Sequence, residues 1–87
     1  MASTDRNVIV YALSTCIWCR KTLAWLDEHG VQYQRIYMDL LDGQERERAQ
    51  QEALRVVNHL SYPVLVIDGG RKVIQGYKPE QFEEELG

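Results

Sequence analysis

The chain changes its hydrophobic period abruptly, across three residues near its start. Asn7 to Leu13 (NVIVYAL) is a continuous apolar run rich in β-branched side chains, the pattern of a strand buried on both faces. Beyond Ser14-Thr15-Cys16 the period becomes helical: Cys19, Leu23 and Leu26 share one face, and Trp18, Thr22 and Trp25 an adjoining one. A strand running through so short a loop into a helix is the opening of an α/β unit. The only cysteines in the chain, Cys16 and Cys19 of the stretch STCIWCRK, fall at that junction.

The remaining elements follow the same cues. Gly30, after His29, is placed as a C′ glycine to end the first helix. Gln32 to Met38 (QYQRIYM) alternates as a second strand. Asp42-Gly43-Gln44-Glu45 forms a capping box that opens a second helix, expected to run to about His59. Its inward positions are Ala49, Ala53, Val56, Val57 and Leu60, and the charged stretch Gln44 to Arg48 is its solvated start. Pro63 to Ile67 (PVLVI) and Lys72 to Gln75 are two further strands, joined by the hairpin signal Asp68-Gly69-Gly70. Gly76 ends the last strand, and Pro79 takes the first position of a closing helix that ends at Leu86.

The order is thus β-α-β-α-β-β-α, with no internal repeat or linker, in one domain spanning residues 1–87. The first crossover, from Leu13 to Gln32, is long enough to return the second strand parallel to the first. The hairpin supplies an antiparallel half. The expected architecture is α/β, a mixed four-stranded sheet with helices on both faces. Cys16 then lies at the carboxyl end of the first strand, where open α/β sheets place their binding sites.

Composition narrows the function classes. At 45% hydrophobic and 26% charged, the chain has the make-up of an ordinary globular protein. A net charge of −3 with no basic stripe argues against nucleic-acid binding. No apolar run approaches the roughly 20 residues of a membrane span. The polar start, Met1 to Asn7, shows no signal-peptide core, so a cytoplasmic address is expected. A lone cysteine pair at this spacing closes too small a loop to stabilise a fold by entropy, which disfavours a structural disulfide.

Two chemistries remain for the pair. A zinc site wants three or four protein ligands, and only His29 and His59 are available besides the cysteines, at a spacing that matches no finger pattern. Both histidines read instead as helix C-terminal residues, favourably placed against the dipole. An iron–sulfur cluster shared by two chains stays open, because each chain need supply only one or two thiolates.

The other chemistry is dithiol exchange. With a helix starting just after Cys16, its sulfur faces the free N–H groups of the first turn, which favour the thiolate and lower its pKa. Cys19, one turn in, points toward Leu23 and Leu26 and is shielded. Arg20 and Lys21 either add positive potential or are plain surface charges. An exposed nucleophile and a sheltered second thiol permit a cycle: Cys16 attacks a substrate disulfide, and Cys19 resolves the mixed disulfide. Pro63 opens the strand expected to neighbour the first, at the end where Cys16 emerges. It is either a plain strand-initial proline or a cis-proline facing the cysteines. Trp18 either covers the helix start or stacks on substrate.

With these residues placed, the chain resembles the glutaredoxins over nearly its full length. The resemblance rests on the strand–Cys-x-x-Cys–helix opening, Ser61-Tyr62-Pro63-Val64-Leu65-Val66-Ile67, the Asp68-Gly69-Gly70 hairpin and Gly76 before the last helix. It implies a thioredoxin-like fold and a thiol–disulfide oxidoreductase, with Cys16 as nucleophile, Cys19 as resolving thiol and Pro63 as the cis-proline. Trp18, Tyr62, Pro63, Gly76 and Tyr77 would frame the substrate groove. A monomer with no bound cofactor is implied, acting on disulfide-containing proteins and drawing electrons from glutathione or from thioredoxin reductase and NADPH.

Three departures bear on the branch. Ile17-Trp18 stands where glutaredoxins usually have Pro-Tyr. Leu13 replaces a common lysine, and Tyr77-Lys78-Pro79 replaces an acidic residue that meets glutathione. Gly76-Tyr77-Lys78-Pro79-Glu80 is closer to the Gly-Phe-Arg-Pro-Asp of small redoxins that serve ribonucleotide reductase and are reduced by thioredoxin reductase. The acidic middle helix and the Ser-Tyr-Pro-Val strand are similar to those of glutaredoxin-like proteins from anaerobic bacteria and methanogens. The family's alternative role is an iron–sulfur cluster-binding dimer. That role uses the first cysteine with glutathione, and the missing charged contacts count against it.

Overall fold

Alternation along the first strand, β1 (Val8–Ala12), sends Val8, Val10 and Ala12 into one core cluster and Tyr11 into another on the opposite face. The third strand, β3 (Val64–Ile67), does the same, with Leu65 and Ile67 on the first side and Val64 and Val66 on the second. Every residue of β3 is buried, as a strand covered on both faces requires. With β2 (Gln34–Tyr37) and β4 (Lys72–Gln75) they form a four-stranded sheet in the order β2-β1-β3-β4. β1 runs parallel to β2, β3 runs antiparallel to both β1 and β4, and Tyr11 pairs with Val64.

The computed structural model describes residues 7–87. The polar start that carries the signal-peptide reading lies outside the described residues, apart from Asn7. Helices α1 (Ile17–Glu28) and α3 (Pro79–Leu86) cover one face of the sheet, through Leu23, Trp25, Leu26 and Phe82. Helix α2 (Gly43–Leu54) covers the other, through Ala49 and Ala53. The mixed sheet with helices on both faces is the expected architecture. Among the described residues no helix is long and apolar enough to cross a membrane.

Helix ends follow from local chemistry. At the close of α1 the left-handed Gly30 (φ 68°) lets the Val31 N–H reach Leu26 O at 2.9 Å. The Asp42 carboxylate accepts from Glu45 N–H at 2.9 Å and caps α2. Pro79 occupies the start of α3. In the β3–β4 hairpin Asp68, Gly69 and Gly70 all have positive φ. A Cβ at Gly70 would sit 2.9 Å from Val56 Cγ1, so glycine lets the loop after α2 close on the hairpin.

Two expected boundaries are corrected. Helix α2 ends at Leu54 rather than near His59. The N–H groups of both Val56 and Val57 turn back to Ala53 O, at 3.0 and 3.2 Å, and the chain then leaves the helix axis to reach Pro63. Val56, Val57 and Leu60 still pack on the second cluster, but from the connection. His59 is therefore a loop residue whose carbonyl accepts from Gln75 Nε2 at 3.0 Å, not a helix terminus. The second strand stops at Tyr37, and Met38–Leu40 tightens into a 3-10 turn that buries Met38 against α2.

Candidate functional site

Cys16 is the N-cap of α1, in extended conformation (φ −91°, ψ 122°). Its sulfur accepts the Cys19 N–H at 3.3 Å, as a serine or aspartate oxygen would at that position. Partial burial alone would raise the Cys16 pKa. Donation from the Cys19 thiol and from the N–H groups of Cys19 and Trp18 outweighs burial and holds it below the ordinary thiol value.

Cys19 is fully buried in the first core cluster and accepts the Leu13 N–H at 3.4 Å. Burial pushes its pKa up to about 12, reinforced by its bond to Cys16 and the nearby charges of Cys16 and Asp39, against the lowering effect of the Leu13 N–H. The two thiols, one turn apart, are thus a partly exposed sulfur inclined to ionise and a buried one inclined to keep its proton. Both are free.

The strand register carries Tyr62-Pro63 to the sheet end from which Cys16 emerges. The Tyr62-Pro63 bond is cis and Pro63 is buried. Pro63 O accepts Gly76 N–H at 2.9 Å, which ties the start of β3 to the end of β4. Gly76 adopts φ 95° there. Tyr77, the next residue, stacks its ring on Trp18 (centroids 6.0 Å apart, 27° between planes) and meets the edge of Phe82. Trp18, Tyr62, Gly76 and Tyr77 line one groove of about 290 Å³. All seven expected site residues therefore gather at one end of the sheet.

Sequence reasoning missed the support of the loop. The carboxylate of Asp39, in the 3-10 turn after β2, accepts both the Ser14 N–H, at 2.9 Å, and the Ser14 hydroxyl. Those bonds hold its carboxyl below the usual carboxylate range. Arg46 of α2 braces that turn, donating to Met38 O at 3.1 Å and Leu41 O at 2.9 Å. Leu13, Met38, Asp39, Arg46, Gln50 and Tyr62 line a second groove, of about 310 Å³, that shares Tyr62 with the first. The local signal for Asp39 was a lone acid at the end of the strand beside β1. Its partner lies 25 residues away, so no spacing pattern links them.

Arg20 donates to Ser14 O at 3.4 Å, and Lys21 Nζ lies 5.1 Å from the Trp18 ring centroid. Among the described residues no three His, Cys, Asp or Glu side chains converge as a metal site would need.

A sheet of this order, with a Cys-x-x-Cys helix start and a cis-proline at one end, defines a thioredoxin-like redox protein. The glutaredoxin family profile matches residues 8–71, and the chain belongs to that family. It is similar to the glutaredoxin from Methanosarcina mazei Go1 at 41% identity and TM-score 0.85, over 93% of this chain and 78% of that one. The methanoredoxin of Methanosarcina acetivorans is 34% identical, with TM-score 0.88 over 93% and 84% of the two chains. The glutaredoxin (grx-1) from Archaeoglobus fulgidus is 36% identical, with TM-score 0.83 over 92% and 86%. No match is found among curated proteins.

Proposed function

We propose that this protein is a monomeric dithiol electron carrier that reduces disulfides in partner proteins through a Cys16–Cys19 dithiol/disulfide cycle. The opposed proton affinities of the two thiols carry this reading. Cys16 attacks as a thiolate and bonds to one substrate sulfur, and the other sulfur leaves and takes a proton. Cys19 is neutral while Cys16 is a free thiolate. Once Cys16 is consumed in the mixed disulfide, its charge no longer opposes ionisation of Cys19. Cys19 then loses its proton and attacks Cys16, which releases the substrate as a dithiol and leaves the Cys16–Cys19 disulfide.

Tyr62 offers a place to align an extended substrate. Its backbone groups make no hydrogen bond among the described residues. Trp18, Gly76 and Tyr77 complete the groove, and the buried Pro63 joins Tyr62 to β3. A cytoplasm kept reducing suits a cysteine pair spaced for exchange and not for bracing.

Single-turnover reduction of a protein disulfide by the pre-reduced chain tests the roles. Cys16→Ser should abolish it. Cys19→Ser should accumulate a mixed disulfide on Cys16, visible by intact mass. Full activity in Cys16→Ser would reject the assignment. The oxidised pair is returned to the dithiol by glutathione or by thioredoxin reductase with NADPH, and offering each donor alone tells which.

A further inference from the structure

The groove beside Cys16 is apolar, but its rim is not neutral. None of its four lining residues is acidic. Lys21 Nζ lies over the Trp18 ring, 5.1 Å from its centroid. A Cβ at Gly76 would lie 3.7 Å from Lys78 Cε, which puts the Lys78 stem against the groove-lining backbone. Both lysines are exposed, and neither has an ion-pair partner among the described residues. The acid belonging to the site, Asp39, faces the other groove and is engaged by Ser14. A chain of net charge −3 thus keeps two exposed cations beside its aromatic groove.

We propose that Lys21 and Lys78 select the disulfide partner: an extended protein segment with carboxylate side chains flanking the attacked cysteine and an apolar or aromatic side chain laid in the groove. The proposal rests on the dithiol reading above. The rings of Trp18 and Tyr77 supply flat contact area for that side chain. Rim charges act chiefly on the encounter rate and lose their effect in salt, because exposed charges are screened within about 10 Å at 0.1 M. The chemistry at sulfur is unchanged. Cys16 bonds to the segment's cysteine, the partner thiolate departs and is protonated, and Cys19 completes the two-electron transfer.

The test uses three pentapeptides with a Leu-Cys-Tyr core flanked on both sides by aspartate, asparagine or lysine. Each is supplied as its symmetric disulfide, with glutathione disulfide as a fourth substrate. Single-turnover rates of the pre-reduced protein are read at one pH, at low salt and at about 0.5 M. The expected order is aspartate, asparagine, lysine, with about tenfold between the extremes at low salt, shrinking to about twofold at high salt. A Lys21→Glu/Lys78→Glu variant should reverse the order while retaining turnover of the asparagine peptide. Equal rates for aspartate and lysine peptides, or the same ratio in the variant, would overturn the selection. Glutathione disulfide reduced faster than the aspartate peptide would overturn the protein segment as occupant. Failure to reduce any of the four would strike the dithiol reading itself.

Discussion

At the residue scale the site depends on one atom doing two jobs. The Cys16 sulfur closes the first turn of α1 as an N-cap acceptor and is the atom proposed to attack. The bond that caps the helix therefore also stabilises the thiolate. That much was legible in STCIWCRK, because a cysteine placed before a helical period has the first-turn N–H groups in front of it. The role of Asp39 was not. Its bonds to Ser14 depend on β2 lying beside β1, which no local pattern reveals.

Asp39→Asn gives a direct check. It removes a negative charge that raises the Cys19 pKa, so Cys19 should ionise below the value of about 12 that it has in the wild type. The same carboxyl, lowered in the folded state, stabilises the fold above the unfolded value of about 3.9. That stability is lost as pH falls through the lower folded value. Urea unfolding across this acid range should show a loss in the wild type that is reduced in Asp39→Asn, and parallel curves would refute the linkage.

At the scale of elements, the strongly periodic segments were readable and the transitions were not. β1, α1, β3, β4 and α3 fall where the apolar runs, the helical period, the hairpin signal and proline placement put them, within a residue or two. Helix α2 was overrun because Val56, Val57 and Leu60 continue its apolar spacing. They do face the core, but from a connection whose path is set by the need to reach Pro63 and by the approach of Val56 to Gly70. Spacing alone cannot separate those cases. Two substitutions weigh the elements. Asp42→Ala removes the α2 cap and should cost about 1 kcal/mol in denaturant unfolding. Phe82→Ala, at a fully buried site where α3 meets Trp25 and Tyr77, should cost about 3–5 kcal/mol. A cap loss as large as the core loss would contradict this ranking of the two elements.

For the whole molecule, the sheet order does the assembling. Placing β1 and β3 side by side at the centre brings the loop after one strand and the proline before the other to a single end. The β3–β4 hairpin then returns Gly76 and Tyr77 to the same place. The gathering of Cys16, Trp18, Tyr62 and Tyr77 was foreseeable once the β-α-β-α-β-β-α order was in hand. The second groove, shared through Tyr62 and supported by Asp39 and Arg46, was not, because it depends on side chains from four separate segments of the chain.

The asymmetry of the thiols is the central claim, and site-resolved alkylation of the reduced protein against pH measures it directly. Cys16 should react with iodoacetamide along a curve whose midpoint lies below the free-thiol value of about 8.5. Cys19 should stay unmodified until strongly alkaline pH, toward about 12. Both cysteines titrating together near 8.5, or Cys19 reacting first, would contradict the account.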